Sequence, residues 1–353
     1  MEKRRIIDAH VHQWDLRNTP REATTFVKLL GWNPGLMHWL AGKVFPREVG
    51  EFFGGPREVL VDYLPRHHEA DTQGRDVAGF VHVEASWRGK GAMGPVAETR
   101  WLESLETPRL KAIVGFADLK LGDSVAGVLE AQLAASSRFR GVRYPLAHHP
   151  QKGVWSACEA PALMADSTWR RGFAQLGKLG LSFDATVYHH QLDDLRSLAC
   201  DFPDVEVVVC HAGTPTAYGG TFGGMGQTAR ERAAIAKAWR SSMDRLAELP
   251  NVSVKISGLA MPILGWGYHH GAIPDAERVA EDLQPIVDFL IDRFGASRCM
   301  FASNFPVDRI SMPWATLYDA YERMVGSRSV EDREALFCGT ASRIYRLEPS
   351  DAT

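Results

Sequence analysis

The sequence predicts an α/β fold, a (β/α)8 TIM-type barrel with long loops at its C-terminal mouth, and three observations support this prediction. Eight short runs of β-branched or apolar residues recur along the chain. Segments of helix length separate these runs, as in successive βα units. The 353 residues match the size of one large barrel, and no internal repeat or linker divides them. We therefore expect a single domain over residues 1–353.

The predicted strands are spread over the whole chain. They cover residues 5–12, 78–85, 112–119, 139–146, 181–190, 205–212, 252–259 and 298–306. The stretches 125–136, 229–249 and 277–294 between them are predicted helices, and the last has apolar residues at three-to-four spacing. Two long irregular stretches, 15–57 and 213–225, follow the first and the sixth run. In a barrel both would lie at the C-terminal mouth, either as a lid or as ordinary surface loops.

The composition favours a small-molecule partner. Forty Lys and Arg residues against 43 Asp and Glu residues give a net charge of −3, so we expect neither nucleic acid nor membrane as a partner. Five cysteines without a C-x-x-C pair predict neither disulfides nor a cysteine zinc site and favour a cytoplasmic location. We see no signal-peptide pattern and no apolar window approaching 18 residues. A homo-oligomer is compatible with these features.

Alternation of side chains within the runs predicts a polar barrel interior. In the first run, apolar residues at positions 7, 9 and 11 alternate with Asp8, His10 and His12. We interpret the apolar residues as the layer under the helices and the polar ones as pointing to the barrel axis. The same alternation sends further polar side chains inward: His82, Glu84, Arg143, Asp184, Thr186, Tyr188, His190, His211, Lys255, Ser257 and Asn304. Each has a structural explanation when taken alone, but histidines at the C-terminal ends of several strands predict a barrel active site.

The histidines suggest a metal site with one weak position. His10 and His12 share one face of a strand, and His190 and His211 bring the number of nitrogen donors to four, enough for zinc. At the end of the eighth run stands Asn304, and an amide is a poor metal ligand and no base. We therefore expect either no metal or one weakly held divalent ion, Zn or Mn. The proton would then be taken by His190, His211 or Asp308, or the attacking water would be activated by a metal on His10 and His12, with Asn304 orienting water or substrate.

Other catalytic motifs are missing from the sequence. No G-x-S-x-G elbow accompanies the histidines, and there is no G-x-x-x-x-G-K-[ST] loop. The glycine run at 219–224 does not lead from a strand into a fingerprinted helix. Serine hydrolases, NTPases and dinucleotide-dependent enzymes are therefore disfavoured.

Several motifs together resemble a known family. They include IIDAHVHQWD at 6–15, FRGVRYPL at 139–146, VVVCHAGTP at 207–215, CMFASNFPVD at 299–308 and GTASRIYRL at 339–347. With these motifs the chain resembles the amidohydrolase superfamily, in the amidohydrolase 2 branch that includes L-fuconolactonase, L-rhamnonolactonase and 2-pyrone-4,6-dicarboxylate lactonase. The resemblance extends over nearly the whole chain.

The resemblance implies a hydrolase that opens the ester bond of a sugar-acid or other carboxylate-bearing lactone. It places His10, His12, His190, His211 and Arg143 around the substrate, and the guanidinium of Arg143 would hold a carboxylate or lactone oxygen. By their predicted direction, His82, Glu84 and Tyr188 would also bind substrate.

One departure from the family keeps two alternatives open. The family's eighth strand commonly reads S-D-W-P, whereas this chain has Ser303-Asn304-Phe305-Pro306. The first alternative is a metal-dependent decarboxylase on the same barrel, and the second is a non-catalytic barrel that binds a sugar acid.

Overall fold

A parallel eight-stranded barrel forms the centre of the protein in a computed structural model that describes residues 4–158 and 160–347. The strands are β1 (Arg5–Val11), β2 (Asp76–Val83), β3 (Leu110–Gly115), β4 (Phe139–Pro145), β5 (Ser182–Thr186), β6 (Val207–Val209), β7 (Val252–Ile256) and β8 (Cys299–Phe301). Each pairs in parallel with the next. The segment after β8 closes the ring, since His12 N donates to Phe305 O at 2.8 Å and Asn304 N donates to His10 O at 2.9 Å. The predicted barrel is confirmed.

Helices surround this barrel. They are α1 (Thr24–Leu30), α2 (Pro34–Val44), α3 (Arg47–Phe52), α4 (Pro65–Asp71), α5 (Val96–Ser104), α6 (Ala126–Ala135), α7 (Ser167–Lys178), α8 (Leu192–Asp201), α9 (Ala229–Ala247), α10 (Ala276–Phe294), α11 (Trp314–Met324), α12 (Val330–Glu334) and α13 (Thr340–Ile344). Helix α10 shows how apolar residues at three-to-four spacing form the buried face of a helix. Its N-cap Asp275 accepts a hydrogen bond from Arg278 N, its apolar face is buried, and Gly295 with φ +77° follows its end. Within the described residues, no helix is long and apolar enough to cross a membrane.

All eight strands end earlier than the predicted runs, and after β6 and β8 the chain turns through left-handed residues. β6 ends at Val209, after which His211, Ala212 and Thr214 have φ between +41° and +52°. β8 ends at Phe301, and Asn304 follows with φ +58°. These left-handed residues cannot continue a strand ladder. The ends of the runs therefore supply the site instead of extending the sheet.

The two long stretches after the first and sixth runs differ in structure. The stretch 15–57 was expected to be irregular, and this is wrong, because it contains α1, α2 and α3. The stretch 213–225 is irregular apart from a bridge between Phe222 and Met225. Both contribute residues to the wall of a cavity at the C-terminal end of the barrel.

The lower barrel interior is apolar, which corrects two predicted side-chain directions. Inside the barrel, one cluster joins Ile7, Ala9, Val81, Val83, Ala112, Val114, Val208, Met300 and Ala302. Asp8 therefore faces the helices, where it accepts hydrogen bonds from Trp314 Nε1 at 2.9 Å and Ser303 N at 2.8 Å. His82, between two inward valines, faces α5 and lies 3.7 Å from Glu98. The alternation fails in β1 because its pairing with β2 shifts register between Asp8 and Val11, which brings His10 and His12 back inside.

Candidate active site

A cavity of about 2240 Å³ opens at the C-terminal end of the barrel. It is larger than the roughly 300–1,000 Å³ that usually encloses a small ligand. The sequence-predicted residues that line it are His12, Glu84, Arg143, Tyr188, His211 and Asn304. His10 lies directly beneath, fully buried, with its Nε2 atom 3.2 Å from Nε2 of His12. Side chains from six different strand ends thus meet at one place.

Hydrogen bonds fix the protons on the two β1 histidines. Nδ1 of His12 lies 2.9 Å from the carbonyl oxygen of Val83, which can only accept, so Nδ1 carries the proton. The ammonium of Lys255 lies 3.5 Å from Nδ1 of His10, which must therefore accept. A neutral His10 then carries its proton on Nε2 and donates it to His12. Burial, together with Lys255 for His10 and Arg143 for His12, holds the pKa of both imidazoles well below the usual value, so both are neutral.

A buried ion pair supports these histidines from below. Lys255 Nζ donates to Asp184 Oδ2 at 2.6 Å, and both side chains are fully buried. The hydroxyl of Tyr345, beyond α13, donates to the same carboxylate at 3.1 Å. Because each charge has a partner, the pair can stay ionised without solvent. It places one fixed positive charge under the cavity.

The fold holds His211 in a strained turn at the cavity wall. Its Nδ1 lies 3.0 Å from Ser257 Oγ, and when that nitrogen donates to the hydroxyl, Nε2 is left with a lone pair. Gly258 makes room for the ring, since a Cβ there would come within 2.5 Å of His211 Nδ1. Burial and the nearby charge of Arg143 lower the pKa of His211 to about 3. The imidazole is therefore neutral at ordinary pH.

Arg143 and Glu84 form an ion pair on the cavity wall. Arg143 Nε donates to Glu84 Oε1 at 2.8 Å, and Nη2 donates to the backbone oxygen of Glu84 at 2.8 Å. The backbone N–H of Ser86 donates to the other carboxylate oxygen at 2.8 Å. The side chain of Arg143 is 13% exposed, and its Nη1 makes no hydrogen bond with the described residues. One edge of the guanidinium is thus available to a ligand.

Asn304 lines the cavity, while Asp308 lies behind it. The amide nitrogen of Asn304 donates to Asp308 Oδ1 at 2.7 Å, which leaves the amide oxygen as the acceptor available at the cavity. Asp308 is fully buried, and its Oδ2 has no hydrogen-bond partner among the described residues. Burial raises its pKa to about 7, although the Asn304 hydrogen bond opposes this rise. Asp308 therefore orients Asn304 rather than facing the substrate.

The structure does not bring two predicted residues into the cavity. His190 lies on an exposed turn after β5, where its Nε2 donates to His148 O at 3.0 Å and its ring packs against His149. The predicted direction fails because the chain turns at Tyr188, which itself lines the cavity. His82 faces α5, as described above. Neither residue joins His10, His12 and His211.

The donor set does not fit a divalent metal. A zinc site needs three or four ligands with available lone pairs, and anionic ligands strengthen it. The Nε2 atoms of His10 and His12 are close enough to share an ion, but they are hydrogen-bonded to each other, with an ammonium on the far side of His10. The segment after β8 contributes the amide of Asn304. Among the residues that the structure describes, no three His, Cys, Asp or Glu side chains are placed to hold one ion.

Several cavity residues were not predicted from the sequence. The outer wall includes Phe52 and Phe53 at the end of α3 and Trp155 after β4. The aromatic content of 15–57 was visible in the sequence, but nothing in the sequence paired it with Trp155. Tyr345 was also missed, because it reaches Asp184 from far along the chain.

Comparisons with known proteins agree with this architecture. The amidohydrolase family matches residues 7–347. A Sinorhizobium fredii protein named uncharacterized protein y4mH is 30% identical over 345 residues, 97% of this chain and 98% of that protein. An L-fucono-1,5-lactonase of Burkholderia multivorans is 30% identical over 262 residues, 72% of this chain and 79% of that protein. A Burkholderia multivorans amidohydrolase, crystallised with HEPES and with zinc, shares the fold with a TM-score of 0.70 and 24% identity, over 97% of this chain and 99% of that one.

Proposed function

This chain belongs to the amidohydrolase family and is a hydrolase, and we propose that its reaction opens the ester bond of a lactone, such as that of a sugar acid. The observation that carries the proposal is the neutral imidazole of His211 beside the cation of Arg143 on one cavity wall. The similarity to an L-fucono-1,5-lactonase supports the choice of a lactone over an amide.

In the proposed reaction, water attacks the lactone carbonyl and His211 takes its proton. Burial and the charge of Arg143 keep Nε2 unprotonated in the free enzyme, so the base is available at ordinary pH. As negative charge develops on the lactone oxygen, Nη1 of Arg143 stabilises it and the basicity of the imidazole rises. The ring C–O bond then breaks, and the proton passes to the leaving oxygen. The product is an open hydroxy acid.

Asn304 and His12 have supporting roles in this proposal. The amide oxygen of Asn304, held by Asp308, accepts a hydrogen bond from the attacking water or a substrate hydroxyl. His12 presents a neutral ring edge: the carbonyl of Val83 fixes its proton on Nδ1, and its Nε2 accepts a hydrogen bond from His10, which Lys255 orients from below. No step requires a metal ion. A small-molecule substrate fits this reaction, whereas the cytoplasmic location and the homo-oligomer remain predictions from the sequence.

A screen of lactones with a pH indicator tests the proposal, since each opened ring releases a proton near neutral pH. The panel contains aldonolactones, including L-fucono-1,5-lactone, and unsubstituted δ-valerolactone. We expect acid release above the spontaneous rate for at least one of them. Release of CO2 from hydroxybenzoates without lactone opening would instead identify the decarboxylase. Binding of a sugar acid without turnover of any substrate would identify a non-catalytic barrel.

A further inference from the structure

The outer part of the cavity is walled by three aromatic side chains, Phe52, Phe53 and Trp155, which we name the aromatic wall. The rings of Phe52 and Trp155 have centroids 4.9 Å apart, and those of Phe53 and Trp155 are 6.0 Å apart. All three side chains line the cavity and are only partly buried. Part of each ring therefore stays open to a ligand.

The aromatic wall is held from two sides. The carbonyl oxygen of Trp155 accepts a hydrogen bond from the hydroxyl of Tyr188 at 2.5 Å, which ties it to the end of β5. Gly54, directly after Phe53, has φ +68°, and a Cβ there would come within 2.9 Å of the Pro262 side chain. The backbone that follows the two phenyl rings therefore packs closely against Pro262. The wall is thus a defined surface rather than a loose loop.

The cavity lining combines polar and apolar side chains. Arg143, Glu84, His211 and Asn304 lie at the floor, and charged side chains such as Arg47, Glu51 and Lys152 also line the cavity. The lining further includes the apolar residues Phe45, Val49, Val154, Phe222 and Pro262. A planar apolar ring of a ligand can stack on the open faces of the three aromatic side chains.

We infer that the substrate carries an aromatic ring beyond the lactone, and that the aromatic wall binds this ring while the lactone reaches Arg143 and His211. The cavity of about 2240 Å³ is open to solvent and has room for both parts. The inference rests on the proposed function, because it assigns the substrate class of the same site.

The test compares two δ-valerolactones that carry a phenyl or a methyl group on the carbon next to the ring oxygen, and so have similar intrinsic reactivity. We expect kcat/KM for the phenyl lactone to exceed that for the methyl lactone by about tenfold or more. Trp155→Ala should remove most of this preference while changing the methyl lactone less than about threefold. Phe52→Leu, which keeps apolar volume without a ring, should reduce the preference in the same direction. Trp39→Ala on α2, at a 62% exposed position outside the cavity, is the matched control.

Each outcome separates the inference from the proposed function. Equal kcat/KM for the two lactones, or equal losses for both in Trp155→Ala, overturns the inference and leaves lactone hydrolysis standing. If the protein opens aldonolactones efficiently but turns over neither substituted lactone, the inference is also overturned and lactone hydrolysis still stands. If no lactone in either panel is opened, the proposed function fails, and the inference fails with it.

Discussion

The floor and the aromatic wall of the cavity are built by different means. At the floor, buried charged and polar groups have fixed partners, such as Lys255 with Asp184 at 2.6 Å and the neutral His12 with Val83 at 2.9 Å. The wall consists of half-buried rings from α3 and from the segment after β4, held by ring packing and one backbone contact. In the proposed reaction, the barrel fixes the reacting groups and its loops select the substrate. Substitutions at the floor should change the turnover of every substrate and the stability of the protein. Substitutions in the aromatic wall should change only the selectivity between substrates.

The largest expected effect on activity distinguishes His211 from His190, which the sequence analysis predicts equally as site residues. His211→Asn should lower kcat by about 10²–10⁴-fold for every lactone, because the general base is lost. His190→Asn should change kcat less than about twofold, since His190 lies outside the cavity. Initial rates from the pH-indicator assay, with thermal unfolding as a check on folding, measure both. Comparable losses in the two variants would contradict the assignment of the floor.

Lys255→Met should mainly destabilise the protein. The change leaves the Asp184 carboxylate buried without its cation, which typically costs about 3–5 kcal/mol in the free energy of unfolding. Urea denaturation monitored by circular dichroism measures the change. The double variant Lys255→Met with Asp184→Leu should recover a large part of this loss. A single variant as stable as the parent protein would show that the ion pair does not support the floor.

The pKa of Asp308 predicts a pH-dependent difference in stability. Burial raises this pKa from 3.8 to about 7, so the folded state binds the proton more tightly. The resulting stability is fully present below pH 3.8 and is lost as the pH rises toward 7. The free energy of unfolding of Asp308→Asn should therefore rise by roughly 2–3 kcal/mol relative to that of the parent protein between pH 5 and pH 8. Unfolding curves of the variant and the parent protein at pH 5 and at pH 8 measure this change. A difference between the two proteins that is the same at both pH values would show that Asp308 does not titrate in this range.

Arg143→Lys should have the smallest effect. An ammonium cannot keep the two contacts to Glu84 and also reach the substrate with a third N–H, so kcat/KM should fall about tenfold, as expected for the loss of about 1.4 kcal/mol. Unchanged kinetics with a lowered melting temperature would mean that Arg143 only pairs with Glu84.

The floor was largely predictable from the sequence, and the side-chain directions that were predicted wrongly have identifiable physical causes. Alternation located Arg143 and Lys255 because each lies on a regular strand, whereas His211 reaches the cavity through the left-handed turn after β6. It failed for Asp8 and His82, since apolar residues also fill the lower barrel and β1 shifts register against β2. A two-residue period carries no information about such a shift.

The aromatic wall was not predictable in the same way. The contact between Phe52 and Trp155 joins segments about a hundred residues apart that belong to no common sheet. Only the packing of α3 over the rim brings them together. The sequence showed an aromatic-rich stretch but no partner for it.

The most direct test of the account measures lactone opening by protein that has been treated with a chelator and analysed for metal. The floor offers two hydrogen-bonded imidazoles, a buried ammonium and the amide of Asn304 in place of an anionic ligand. We therefore expect well under one equivalent of metal in protein purified without added metal, and an unchanged rate after chelation. Stoichiometric zinc, with activity lost on its removal and restored on its return, would contradict the account and require the histidines at the floor to bind a metal.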